Sequence, residues 1–129
     1  MKRTIASISI AALLIFGALL VVKNQGQNSQ NPEVNNVSVV NGTQIIEIYA
    51  RGGYAPRVSQ AQAGMPTILR VKTQGTFDCS AAMSIPSLGY QKILPASGVT
   101  DIEVPSQKAG TVLQGLCAMG MYNFAVQFN

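Results

Sequence analysis

A chain of 129 residues with nine Lys and Arg against five Asp and Glu, a net charge of +4, two cysteines and neither histidine nor tryptophan has room for one domain and a tail. Its positive residues are scattered, with no run that would track a phosphate backbone, which excludes a nucleic-acid partner. Without histidine, and with Glu47, Asp78, Asp101 and Glu103 showing no convergent pairing, acid–base catalysis has no carrier, and the chain is not expected to be an enzyme.

Lys2 and Arg3 precede an almost unbroken apolar run from Ile5 to Val22. As a helix, roughly 18 residues at ~1.5 Å each span about 27 Å, close to the hydrocarbon thickness of a bilayer. A cleaved signal peptide would have a shorter apolar region ending in small residues, whereas this run ends Leu19-Leu20-Val21-Val22-Lys23. The stronger reading is an uncleaved signal-anchor over 1–23, a single transmembrane helix. Lys2, Arg3 and the free amine outweigh Lys23, which predicts a cytoplasmic N-terminus and a domain on the extracytoplasmic face of the cell membrane. Residues 24–42 are then dominated by Asn, Gln and Ser, with Pro32 opposing any helix. Such a segment buries too little apolar surface to offset the entropy of ordering it, and it reads as a flexible polar tether. Val37 to Val40 is a weak start of structure within it.

The domain is expected over 43–129. Gln44 to Ala50, Val58 to Ala63, Thr67 to Thr73, Val99 to Val104 and Thr111 to Leu116 read as short strands, with Tyr54-Ala55-Pro56, Gly75 to Cys79 and Tyr90 to Leu94 as shorter extended pieces. Ile85 to Gly89 is loop-like. Tyr122 to Phe128 alternates, placing Tyr122, Phe124, Val126 and Phe128 on one face. Short strands separated by Gly and Pro, with no helical crossover, predict an all-β sandwich or barrel, mostly antiparallel.

Chemistry concentrates in Cys117-Ala118-Met119-Gly120-Met121, one thiol and two thioethers within five residues. The other thiol is Cys79. Soft sulfur donors without imidazole select Cu(I) over Cu(II), Zn or Ni. The hypothesis is a Cu(I) site built from Cys79, Cys117, Met119 and Met121. Outside the membrane, two cysteines more often form a disulfide. The Cys-x-Met-x-Met spacing argues against that as the whole story, because a structural bridge has no use for the methionines. Met83 is either a further ligand or a packed side chain, and packing is the favoured reading; Met65 has no role, and Asp78 reads as solvated or bonded to nearby backbone N–H groups rather than as a ligand. A thiol oxidoreductase would prefer Cys-x-x-Cys, which is absent.

With these residues in place, the order of strands and motifs resembles the cupredoxin family: Gly53-Tyr54-Ala55-Pro56, Ala63-Gly64-Met65-Pro66, the Cys79 loop, Ile85-Pro86-Ser87-Leu88-Gly89 and the loop Cys117 to Tyr122 before a final strand. The resemblance implies a Greek-key β-sandwich or barrel over 43–129, with one ligand from a mid-domain loop and the others from the loop between the last two strands. Blue-copper members use two histidines, a cysteine and a weak axial methionine. Sulfur in place of both imidazoles departs from that pattern and makes redox cycling, and so the electron-carrier reading, a minor alternative. The variant with an N-terminal anchor resembles the CupA-type copper chaperones. It implies one or two Cu(I) ions shared by the cysteine thiolates, methionines completing the shells, and transfer to a copper-exporting P-type ATPase; the chain is separately expected to be a monomer. The competing reading is an extracellular β-sandwich interaction module closed by a Cys79–Cys117 disulfide.

Overall fold

The chain divides into two units, Met1–Glu33 and Val34–Asn129, and the computed structural model describes residues 35–129, all within the second. The expected anchor over 1–23 and most of the tether lie outside the described residues. Among the described residues no helix is long and apolar enough to cross a membrane.

Among the described residues ten strands form two facing sheets. They are β1 (Val37–Val40), β2 (Thr43–Ala50), β3 (Tyr54–Ala55), β4 (Val58–Ala61), β5 (Thr67–Thr73), β6 (Ala82–Ile85), β7 (Tyr90–Ile93), β8 (Gly98–Val104), β9 (Val112–Cys117) and β10 (Asn123–Phe128). One sheet runs β1-β2-β5-β8 with β3 added to β2, and the other runs β4-β10-β9-β6-β7. The all-β expectation holds. Both sheets are mixed, however: β2 pairs with β5 and β4 with β10 in parallel, while the remaining pairings are antiparallel.

Alternation builds the core. In β2, Ile46, Ile48 and Ala50 point inward; β5 adds Leu69 and Val71, and β8 adds Ile102 and Val104. The facing sheet answers with Leu113, Phe124, Val126, Phe128, Met83 and Ile85, all in one apolar cluster. The outer face of the first sheet carries paired charges instead. Arg70 meets Asp101 directly across β5 and β8, and Lys72 meets Glu47 at 2.9 Å.

Two expectations shift. The sheet takes in Val37–Val40, so the folded part begins before residue 43. Asn36 explains the capture, because its Nδ2 donates to the Glu47 carbonyl at 3.0 Å and to Ser59 Oγ at 2.8 Å, tying the segment to both sheets. The second shift is Gly75 to Cys79, which belongs to no strand; the extended element lies just beyond it, in β6.

One close approach holds the second sheet together. Gly115 on β9 pairs directly with Phe124 on β10. The ring lies over the glycine so tightly that a Cβ there would fall well inside van der Waals contact with Cε1 and Cζ. Phe124 in turn meets Tyr54 edge-on, with centroids 5.0 Å apart and planes at 72°. The last strand's aromatic face is thereby keyed to β3, at the end of the sandwich where the cysteines meet.

Candidate metal centre

Cys117 closes β9 and Cys79 opens a 3-10 turn, Cys79–Ala81, that leads into β6. Because β6 pairs antiparallel with β9, Met83 opposing Cys117, the turn before β6 is carried to the end of β9. The two cysteines, 38 residues apart in sequence, stand with Cα atoms 5.5 Å apart and their sulfurs joined as a disulfide.

The turn is held by Asp78, its N-cap. Oδ1 accepts from the Ser80 backbone N–H at 2.8 Å and from the Ser80 hydroxyl, and Oδ2 accepts from the Gly52 N–H at 2.8 Å. These donors, the Ser80 hydroxyl foremost, hold the Asp78 carboxyl below the usual carboxylate range. Asp78 is therefore a structural clamp between the β2–β3 turn and the Cys79 turn, in agreement with its reading as a backbone-bonded carboxylate. Tyr54 supports the same turn from beneath, its hydroxyl donating to the Ser80 carbonyl at 3.1 Å. Burial, reinforced by the charge of Asp78, pushes the Tyr54 phenol up to about 12.

Asp78→Ala is expected to cost about 1 kcal/mol of stability at neutral pH, in the range of a lost N-cap. The folded-state pKa of Asp78 is depressed, so its contribution is present above the unfolded carboxylate pKa and fades as pH falls through the folded value. Urea midpoints of the two proteins should converge on acidification. A gap that persists unchanged into strong acid would show that the carboxylate is not the clamp.

After Cys117 the chain turns back on itself. The Gly120 N–H donates to the Cys117 carbonyl at 2.8 Å and the Cys117 N–H to the Tyr122 carbonyl at 3.0 Å, with Gly120 at φ +70°. A left-handed residue there is what a glycine permits. The turn carries Met119 and Met121 outward, 78% and 65% exposed, while Cys117 is 2% exposed. The Tyr122 backbone N–H points back and donates to Cys117 Sγ at 3.4 Å. Met83 is fully buried in the core, as its reading as a packed side chain requires. Phe77, 87% exposed, stands in the chain just before Asp78 and Cys79. A groove of about 360 Å³ opens on the flank of Met121 and Tyr122, lined also by Arg51 and Arg57.

All four residues singled out from the sequence therefore lie at one end of the sandwich. The structure joins the two cysteines and sets the two methionines on the adjoining turn, facing solvent. Among the described residues no group of three or more His, Cys, Asp or Glu is placed to hold a metal; any site here is one of sulfur. The donor set fits a soft monovalent ion once the cysteines are reduced: two thiolates within reach of one another, one already receiving an N–H, and two thioethers beside them. Sequence reading missed the Tyr122 N–H, which is a main-chain donor and leaves no side-chain signature. It also missed the turn at Cys79, although Asp-x-Ser is a spacing that caps such turns.

No protein-family profile matches the chain, and no curated protein does. Solved structures do. The metal-binding domain of the Cu(I)-exporting P-type ATPase CopA of Streptococcus pneumoniae D39, determined with Cu(I), superposes with a TM-score of 0.65 at 24% identity, over 72% of this chain and 92% of that one. A copper-binding protein determined by NMR in its apo form gives a TM-score of 0.65 at 20% identity, over 72% and 94%. At these identities the likeness is one of fold.

Proposed function

We propose that this protein binds Cu(I) through the thiolates of Cys79 and Cys117, with Met119 and Met121 completing or extending the site, and that it hands the ion to a copper-exporting P-type ATPase. The observation that carries the reading is the meeting of the only two cysteines beside a turn bearing two exposed thioethers, in a chain without histidine. Cu(I) is a closed-shell ion that accepts two or three soft donors, and thiolates are the strong ones here. Two thiolate charges balance one or two monovalent ions. The neutral methionine sulfurs bind more weakly and lie where an acceptor's sulfur can reach them, so exchange proceeds outward from the cysteines through the methionines. The shared fold with a Cu(I)-exporting ATPase's metal-binding domain supports such a hand-over. The N-terminal apolar run supports a tether at the membrane, which would raise the local concentration of the domain around a membrane acceptor.

Reduced full-length chain should hold Cu(I) against a Cu(I)-specific chelator, and chain alkylated at both cysteines should not. The double variant Met119→Leu with Met121→Leu should retain the tight component and lose a weaker one, by about tenfold or more, the scale at which supporting groups act at metal sites. A titration on which the two proteins coincide at every copper ratio would remove the methionines from the site.

The disulfide favours a second reading, an extracellular β-sandwich interaction module in which Cys79–Cys117 is only a brace. That reading requires the reduced chain to show no preference for Cu(I) over the alkylated control.

A further inference from the structure

The pair that copper binding needs as thiolates stands in this structure as a disulfide, and no described cysteine is free. A sulfur committed to an S–S bond no longer offers the negative charge that makes a thiolate a strong ligand for a soft cation. Two electrons must enter before the cysteines can bind. The two sulfurs are not equivalent toward the thiol that would deliver them. Thiol–disulfide exchange needs access to the attacked sulfur, and it goes faster when the departing sulfur carries its new charge well. Cys117 is 2% exposed, sits at the end of β9 and faces fully buried Met83 across the sheet. Cys79 is only partly buried, on a turn between exposed Asp78 and fully buried Ser80, and packs against the edge of the core. The Tyr122 N–H already donates to Cys117 Sγ at 3.4 Å, whereas among the described residues no hydrogen bond reaches Cys79 Sγ. Access favours attack on one sulfur, and the main-chain donor favours departure of the other.

We propose that Cys79 is the sulfur at which a thiol opens this bond, that Cys117 leaves as the thiolate under the Tyr122 N–H, and that this exchange gates copper loading. In the first step a thiolate forms a bond to Cys79 Sγ, the Cys79–Cys117 bond breaks, and its electron pair departs on Cys117. In the second, another thiolate attacks the sulfur of the bound reductant and releases Cys79 as a thiolate. Two thiols are oxidised to one disulfide, the protein disulfide is reduced to two cysteines, and the protons pass from the reductant to solvent or to the new thiols. In the closed state the exposed thioethers of Met119 and Met121 are the sulfur donors left on the turn beside the bond, so the site alternates between a weak, methionine state and a strong, thiolate state. The gating half of this proposal rests on the Cu(I) reading; the order of attack does not.

The test starts from the oxidised full-length chain in mild detergent, exposed briefly and anaerobically to 2-mercaptoethanol, trapped with iodoacetamide and mapped by peptide mass. The expected product carries mercaptoethanol on Cys79 and the alkyl group on Cys117, exceeding the reverse product by about tenfold or more given the exposure difference. Equal amounts, or an excess of the reverse product, overturns the assignment. So does a chain that keeps two titratable thiols through mild oxidation. Chelator competition on both redox forms tests the gate, with the reduced form expected to bind about a hundredfold tighter or more once thiolates replace thioethers. Equal affinity in the two forms overturns gating. If neither form binds Cu(I), the copper reading fails and the gate with it, while the mass map still decides which sulfur is attacked.

Discussion

Cys117→Ser should abolish tight Cu(I) binding while leaving a folded β-sandwich. Structural zinc sites share about 10–16 kcal/mol over four ligands, so one thiolate is worth about 2.5–4 kcal/mol, a loss on the order of a hundredfold to nearly a thousandfold in affinity. The chain has no thiol other than Cys79 to replace the buried sulfur of Cys117 with its Tyr122 donor. The serine hydroxyl is a hard donor that Cu(I) does not favour. The proper reference is the reduced parent. Against the oxidised parent the same variant also loses a cross-link spanning 38 residues, about 4 kcal/mol on chain-entropy grounds. Chelator competition on both proteins in reductant, with far-UV circular dichroism confirming the sheets, separates the two effects. A variant that held Cu(I) as tightly as the reduced parent would end the assignment of Cys117 as a ligand.

Gly115→Ala should be the most damaging small change in the sandwich. The new methyl would occupy space held by the ring of Phe124, which is itself 1% exposed and locked edge-on against Tyr54. Neither the backbone of β9, paired on both sides, nor the ring has room to yield. Overpacking of this kind costs about 3 kcal/mol, which for a domain of this size lowers the melting temperature by roughly 10–20 °C. The strain should travel along Phe124 and Tyr54 to the Ser80 carbonyl and loosen the Cys79 turn. Phe124→Leu in the Gly115→Ala background should recover part of the loss, because the smaller side chain vacates the contested space, and the double-mutant cycle should be non-additive. Additive losses, or an unshifted melting curve for Gly115→Ala, would show that the ring does not rest on residue 115.

Much of the sandwich was legible because strand alternation is a local property. Thr67 to Thr73 emerged with its own bounds, and the inward face Phe124, Val126, Phe128 was readable from the period of two alone. Ala82–Ile85 was not. It is four residues long, lies between two 3-10 turns, and owes its extended form to neighbours on both sides, β7 and β9, rather than to any local pattern. The turn at Cys79 is only partly of this kind: Asp78 caps Ser80 locally, a spacing open to sequence, and also reaches across to Gly52, 26 residues earlier, which is not. Parallel pairing of β2 with β5 and of β4 with β10 left no mark in sequence, since a strand reads alike in either direction.

Residue composition and order alone set the kind of chemistry available: soft sulfur without imidazole, packed into the Cys117 to Met121 stretch of a β-rich domain. Donor softness and side-chain period belong to the residues and need no neighbours. It takes the folded chain to join Cys79 and Cys117 in one bond, to seal Cys117 while leaving Cys79 partly buried, and to aim a backbone N–H at the sealed sulfur. Those are consequences of β6 lying along β9 and of a turn closing over it, contacts between residues distant in the chain whose register is set by the packing of the whole core.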